Sequence, residues 1–414
     1  MLTIIMYAKT KLLNSCKGTA TTATSEKTEV SNEYEIAGDI TPTRTIISSP
    51  AEPNPQIPAA LRDFSPRFEG DLRGHKGNIF SLAVTKDCRY VVSGAHDGTV
   101  KVWKIRKFKL KGVLEGHNGS VFSIVLNEDG TKAASGSFDN TVRLWNLRRM
   151  KQESCFIGHK RSVISLLFTK DSRYIISASW DYTVRLWNLE DYTQHRIFES
   201  HTGIILSIAL TPDSRYIAST SEDRTIKLWD IELMALSETL ESHTDWVTCI
   251  SCTNDNRFMI SGSHDKTLKV WYLSTKSLAG TLEGHTSKIT CISTTSDSCR
   301  VVSGSSDGTV RIWNLISLAT EHVFTGHRCR VACLSITKDC RYIASGSDDC
   351  TIRVFNIPHR TEETVLRGHT NWVTCLAFSE DGETIVSGAS DYLIKVWVNV
   401  HYSRRHKGKK CSII

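Results

Sequence analysis

The fold turns on Gly74–Trp103, GHKGNIFSLAVTKDCRYVVSGAHDGTVKVW. Gly74-His75 opens a turn, and Ile79 to Val84 is an apolar run of strand length, ended by polar Lys86, Asp87 and Cys88. Tyr90 to Gly94 makes a second run, closed by a tight turn that holds Asp97 and Gly98. Thr99 to Trp103 then alternates apolar and polar residues at a period near two. A fourth run, around Val113 and Leu114, leads to Gly116-His117, where the same reading starts again. Short alternating runs separated by turn residues at intervals of about eight to twelve predict all-β structure, with four strands per unit.

The unit recurs every 42 residues, at His75, His117, His159, His201, His243, His285, His327 and His369, without an insertion or deletion. A fixed period in this range means one supersecondary unit stacked many times. Each unit carries a tight-turn aspartate: Asp97, Asp139, Asp181, Asp223, Asp265, Asp307, Asp349 and Asp391. Four residues before each lies a serine: Ser93, Ser135, Ser177, Ser219, Ser261, Ser303, Ser345 and Ser387. Six residues after each lies an aromatic: Trp103, Trp145, Trp187, Trp229, Trp271, Trp313, Phe355 and Trp397.

On these residues the chain resembles the WD40 family of β-propellers, whose blades are four-stranded sheets. Gly-His opens six of the eight units, and Ser200-His201 and Ser242-His243 replace it in the others. The Trp-Asp pair that names the family stands literally at Trp229-Asp230. The resemblance implies a buried relay within each blade, linking Trp N–H, Ser hydroxyl, His ring and Asp carboxylate. A Ser/His/Asp set also suggests nucleophilic catalysis, but eight active sites on one chain are implausible and eight structural networks are expected. Phe355 has no N–H to offer Ser345, so the seventh unit is expected to be the loosest.

Residues 67–73 precede the first Gly-His and resemble the fourth-strand slot, whereas only a short basic tail follows Trp397. The expected architecture is therefore an eight-bladed ring closed by an N-terminal strand, spanning 66–401. Closure removes sheet edges that would template aggregation. Residues 1–65 hold five of the eight prolines, with a sixth at Pro66, and are rich in Thr, Ser and charge. They read as a disordered or extended linker. The apolar start, Leu2 to Ala8, is too short to span a membrane, and no cleavage-site pattern follows it.

Of the 13 cysteines, Cys249, Cys291, Cys333 and Cys375 share one repeat slot with Ser81, Ser123, Ser165 and Ser207. A slot that alternates between Ser and Cys is a small buried strand position. Cys249-x-x-Cys252 has no second ligand pair, so neither a metal nor any other cofactor is expected. With no secretory signal, the chain is expected to be cytoplasmic and reduced.

The residues 402–414 form a separate tail. It ends Cys411-Ser412-Ile413-Ile414, behind Arg404, Arg405, Lys407, Lys409 and Lys410, and resembles a prenylation box with a polybasic stretch. Those five residues supply most of the net charge of +7. Lipidation at Cys411 plus the basic stretch would suffice for peripheral attachment to an anionic membrane. Nuclear targeting or nucleic-acid contact is the competing reading of the same tail.

Three tryptophans fall outside the core slot. Trp180 precedes a tight-turn aspartate, and Trp246 and Trp372 lie three residues after a repeat histidine. In similar propellers these slots line the partner-facing top of the central channel. Phe138 shares the slot of Trp180, Phe80 and Phe122 lie two residues beyond that of Trp246, and Lys288, Arg330, Glu222 and Asp348 add charge. Aromatic and arginine anchors suit a protein or peptide partner, while mixed charge argues against a nucleic-acid face. The expected function is a non-catalytic interaction scaffold with no small-molecule substrate. The alternative is a substrate receptor of a cullin-type ubiquitin ligase, because Trp103-Lys104-Ile105-Arg106 and Trp145-Asn146-Leu147-Arg148 resemble a Trp-Asp-x-Arg signature.

Overall fold

Alternation within each run gives a strand two faces, so every unit must bury both against neighbouring units. The computed structural model describes residues 65–399. These form thirty-two strands, numbered β1 to β32 in chain order, in eight antiparallel four-stranded sheets. The first blade contains β2 (Ile79–Val84), β3 (Tyr90–Ala95), β4 (Val100–Lys104) and β5 (Lys109–Leu114), paired in that order. The first strand of each blade packs against its counterparts in both neighbouring blades, so these strands line the central channel.

The eighth blade joins the two ends of the ring. Here β30 (Val373–Phe378), β31 (Thr384–Ala389) and β32 (Ile394–Asn399) are completed by β1 (Pro66–Leu72). Pro66 lies opposite Asn399 and Leu72 opposite Ile394. Lys395 Nζ donates to Asp71 Oδ1 at 2.7 Å and sits 4.8 Å from the centre of the Phe68 ring. Eight blades are thus present, with the N-terminal strand closing the ring.

The core lies between successive sheets. Val92, Val100 and Val102 of blade 1 pack on Val121, Ile124, Ala133 and Trp145 of blade 2. Leu72, Val386, Ile394 and Val396 of blade 8 pack likewise on Ile79, Val91 and Trp103 of blade 1. Close approach requires glycine on the second strand: a Cβ on Gly94 would meet Val121 Cγ1 at 2.5 Å. Each first strand also carries a bulge, as between Ile79 and Ser81, which pair with Ala95 and Gly94. A bulge re-aims the extra residue, here Phe80 and its counterparts. In each blade the His-bearing and Asp-bearing loops share one end of the sheet, the top. The turns joining first to second and third to fourth strands share the bottom.

Candidate functional site: the top face

The top face rests on eight polar relays. In blade 1, Trp103 Nε1–H donates to Ser93 Oγ at 2.8 Å and the Ser93 hydroxyl donates to His75 Nε2 at 2.7 Å. His75 Nδ1–H completes the chain by donating to Asp97 Oδ2 at 2.9 Å. The carboxylate can only accept, so Nδ1 must hold the proton and Nε2 must accept. The His–Ser and His–Asp links recur in all eight blades at 2.7–2.8 Å and 2.7–2.9 Å respectively. The indole link recurs in seven, at 2.7–3.0 Å. In blade 7 the Phe355 ring instead stacks on Phe324, centroids 4.4 Å apart. Ser345 Oγ keeps His327 and lies 3.4 Å from the Arg353 carbonyl.

The relays keep their aspartates ionised, and in four of them burial favours the neutral imidazole. Burial lowers the His75, His117, His159 and His243 rings below their ordinary range, against the opposing pull of their aspartates. Burial alone would raise Asp97, but hydrogen bonds from His75, Thr99 and the Lys76 N–H together outweigh it and hold the carboxyl low. A serine whose hydroxyl is committed to a buried imidazole, beneath an indole, is not presented to a substrate.

Above the relays, two residues per blade form the rim. The residue before each tight-turn aspartate donates its N–H to the carbonyl of the residue three after the histidine, at 2.8–3.0 Å. From blade 1 to blade 8 the pairs are His96/Asn78, Phe138/Ser120, Trp180/Ser162, Glu222/Ile204, His264/Trp246, Ser306/Lys288, Asp348/Arg330 and Ser390/Trp372. No pair repeats.

The candidate anchors separate into three groups. Phe80, Phe122 and Trp180 are buried and pack on one another: Phe80 and Phe122 centroids are 5.5 Å apart, and Trp180 stacks on Phe122 at 6.3 Å. Half-buried Phe138 meets Phe122 edge-on at 6.3 Å. Their sequence position on the rim suggests direct contact; instead the bulges turn Phe80 and Phe122 inward, where Phe138 and Trp180 from the aspartate turns pack on Phe122 across blades 1 to 3. Trp180 Nε1 is buried there without a hydrogen-bond partner among the described residues. Trp246 stacks on His264 at 5.1 Å, and Arg330 Nε donates to Asp348 Oδ2 at 3.0 Å with a second bond from Nη2 to Oδ1 at 3.2 Å. Trp372, 45% exposed, and exposed Lys288 face solvent.

Two regularities escaped the sequence reading. His96 and His264 occupy the rim slot of Trp180, a signal carried by the repeat alignment. A basic residue also stands four positions after every tight-turn aspartate: Lys101, Arg143, Arg185, Lys227, Lys269, Arg311, Arg353 and Lys395. Lys101 and Arg185 approach their aspartates to 3.9 and 4.0 Å.

Burial pushes the Cys249, Cys252 and Cys375 thiols up to about 12 and Cys291 to about 11. Such thiols stay protonated at neutral pH, whereas metal binding needs thiolate. No metal-binding group of His, Cys, Asp and Glu occurs among the described residues, and none of their helices is long and apolar enough to cross a membrane. Arg106 and Arg148, from the ligase-like signature, lie exposed on the bottom face. Cys411 and the basic tail lie outside the described residues, as do 1–64.

The family of the WD domain, G-beta repeat, matches residues 66–104, 108–146, 150–188, 192–230, 235–272, 276–314, 319–356 and 360–398. The chain belongs to the WD40 family. Each WD40 unit straddles two blades, because the first match, 66–104, begins in β1 and ends in β4. That offset is what leaves one strand free to close the ring. Target of rapamycin complex subunit LST8 of Saccharomyces cerevisiae (strain ATCC 204508 / S288c) is 29% identical over 75 residues. The match spans 18% of this WD40 chain and 23% of that protein, well under two thirds of its length. The crystal structure of the computationally designed Ika8 protein is similar with a TM-score of 0.72 and 30% identity, covering 79% of this chain and 98% of that one.

Proposed function

We propose that this WD40 protein is a non-catalytic scaffold that captures partner proteins on its top face and is tethered to a membrane through its C-terminal tail. The observation that carries the reading is the rim itself. Relay residues recur with few exceptions around the ring, yet the eight rim pairs all differ and include an exposed tryptophan. Variation confined to loop ends on a rigid frame is the arrangement of a binding surface. The yeast relative is named as a subunit of a complex, which suits a scaffold. The tether rests on the sequence of the tail alone.

Trp372→Ala combined with Lys288→Glu tests the face. Both side chains are exposed, so the variant should keep its unfolding temperature within about 2 °C, in keeping with surface changes of about ±0.5 kcal/mol. Cross-linking followed by mass spectrometry in the native cell should show partners lost at least tenfold. Retention of the same partners on the variant would refute the top face as the binding surface. Intact mass of the native protein tests the tether: an unmodified Cys411 removes it.

A further inference from the structure

The bottom face carries its own pattern. The turn joining third to fourth strand reads Arg106-Lys107-Phe108-Lys109 in blade 1 and Arg148-Arg149-Met150-Lys151 in blade 2. All six basic side chains are exposed, and none forms an ion pair with a described residue. The two turns hold no carboxylate. Corresponding positions carry Glu190 and Asp191 in blade 3, Glu232 in blade 4, Ser274 and Thr275 in blade 5, and Ile316 and Ser317 in blade 6. Blade 5 has a single basic residue in this turn, Lys276, bonded to Ser237, and blade 7 has Arg360, paired with Glu321. The WD40 frame does not require three basic residues here, and only blades 1 and 2 carry three each.

Two further features lie beside this patch. Blade 8 adjoins blade 1, and its β32 ends at Asn399 on the same bottom face. From there the sequence runs directly into Arg404, Arg405, Lys407, Lys409 and Lys410. Exposed apolar side chains also flank the charges: Phe68 of β1 is 50% exposed, next to exposed Arg67, and Leu110 of β5 is 42% exposed.

We propose that the bottom edge formed by blades 8, 1 and 2 is a docking surface for an anionic phospholipid bilayer. Six unpaired cations attract the negative leaflet, each strengthening attachment about fivefold when near the surface. Exposed Phe68 and Leu110 can enter the headgroup boundary, the mixture of charge and apolar surface typical of interfacial binders. A nucleic-acid surface would instead combine the charge with a row of aromatic stacking platforms, whereas Phe68 is the single exposed aromatic on this edge among the described residues. The top face, at the other end of every blade, is left open to partners. This inference concerns a face separate from the proposed partner surface and holds whether or not Cys411 carries a lipid.

The test is co-sedimentation of the unmodified full-length chain with vesicles of phosphatidylcholine containing 30 mol% phosphatidylserine, against phosphatidylcholine alone. Wild type should bind only the anionic vesicles and release as salt rises. Arg148→Glu/Arg149→Glu should weaken binding at least tenfold, and adding Arg106→Glu/Lys107→Glu should weaken it further. The backbone N–H groups of Arg148 and Arg149 hold the turn, donating to Asn146 Oδ1 at 3.1 and 2.9 Å, while their side chains act on Asp129 and Glu153 through charge alone, so the fold should survive. Arg148→Gln/Arg149→Gln is the milder variant should it not. The control of matched charge, Lys76→Glu/Lys160→Glu on the top face, should bind as wild type. Undiminished binding by the bottom-face variants, an equal loss in the control, or tighter binding to single-stranded RNA than to the vesicles would overturn the proposal. Because the tail is present in every variant, its own charge cannot account for the difference.

Discussion

Eight histidines perform one task, and the burial of four of them links stability to pH. The folded-state pKa of His75, His117, His159 and His243 lies below the ordinary value of 6.5, chiefly through burial. The unfolded chain therefore takes up protons first, and this contribution, complete above pH 6.5, is lost as pH falls below it. The relay aspartates also lie below their ordinary 3.8, because hydrogen bonds from His and neighbouring groups outweigh the upward push of burial. Their contribution is present above pH 3.8 and disappears as pH drops through the folded-state value. Both signs agree, so the unfolding temperature, followed by circular dichroism, should be flat from pH 8 to 7, decline below pH 6.5 and fall steeply below 4. A flat profile down to pH 5 would mean that the imidazoles are protonated in the fold.

Strands are joined across blades by different chemistry on the two sides of the ring. At the bulge, blades 1 to 4 hold Phe80, Phe122, Ile164 and Leu206, whereas blades 5, 6 and 8 hold Thr248, Thr290 and Thr374. Thr248 Oγ1 lies 3.1 Å from its own Gly262 carbonyl and 2.8 Å from the Ile289 carbonyl of the next blade. Thr374 reaches Gly388 and the Ile79 carbonyl in the same way, and so stitches the closing seam. Thr374→Val keeps the shape and removes the donor from two buried carbonyls. It should lower the unfolding free energy by about 1 kcal/mol, read from denaturant titration against Thr248→Val. No change in either would show the seam to be held by apolar packing alone.

For the whole ring, one strand determines whether the molecule has edges. Removing residues 1–72 would delete β1 and strip the pairing of β32, the Phe68–Trp397 contact at 5.5 Å and the Lys395–Asp71 bond. An uncovered strand is a template for other chains, so the truncated protein should elute as oligomers and unfold at least 10 °C lower. A monomer with unchanged stability would count against β1 as the closing strand. Much of this was legible in the sequence. An unbroken 42-residue period specifies the units, their aspartate turns and their relays, because each is built from residues at most 28 positions apart, as from His75 to Trp103. The spare fourth-strand segment ahead of the first unit specifies the closure. Rim accessibility was not legible, because it depends on contacts between units. Phe122 meets Trp180 across 58 residues and both are buried, whereas Trp372 has Thr374 and Ser390 beside it and remains exposed. The basic turns of blades 1 and 2 were likewise ordinary surface charge until the ring set them beside the end of β32. Local spacing determined what each blade is; only closure of the ring determined which blades are neighbours, and therefore which side chains meet one another and which meet solvent.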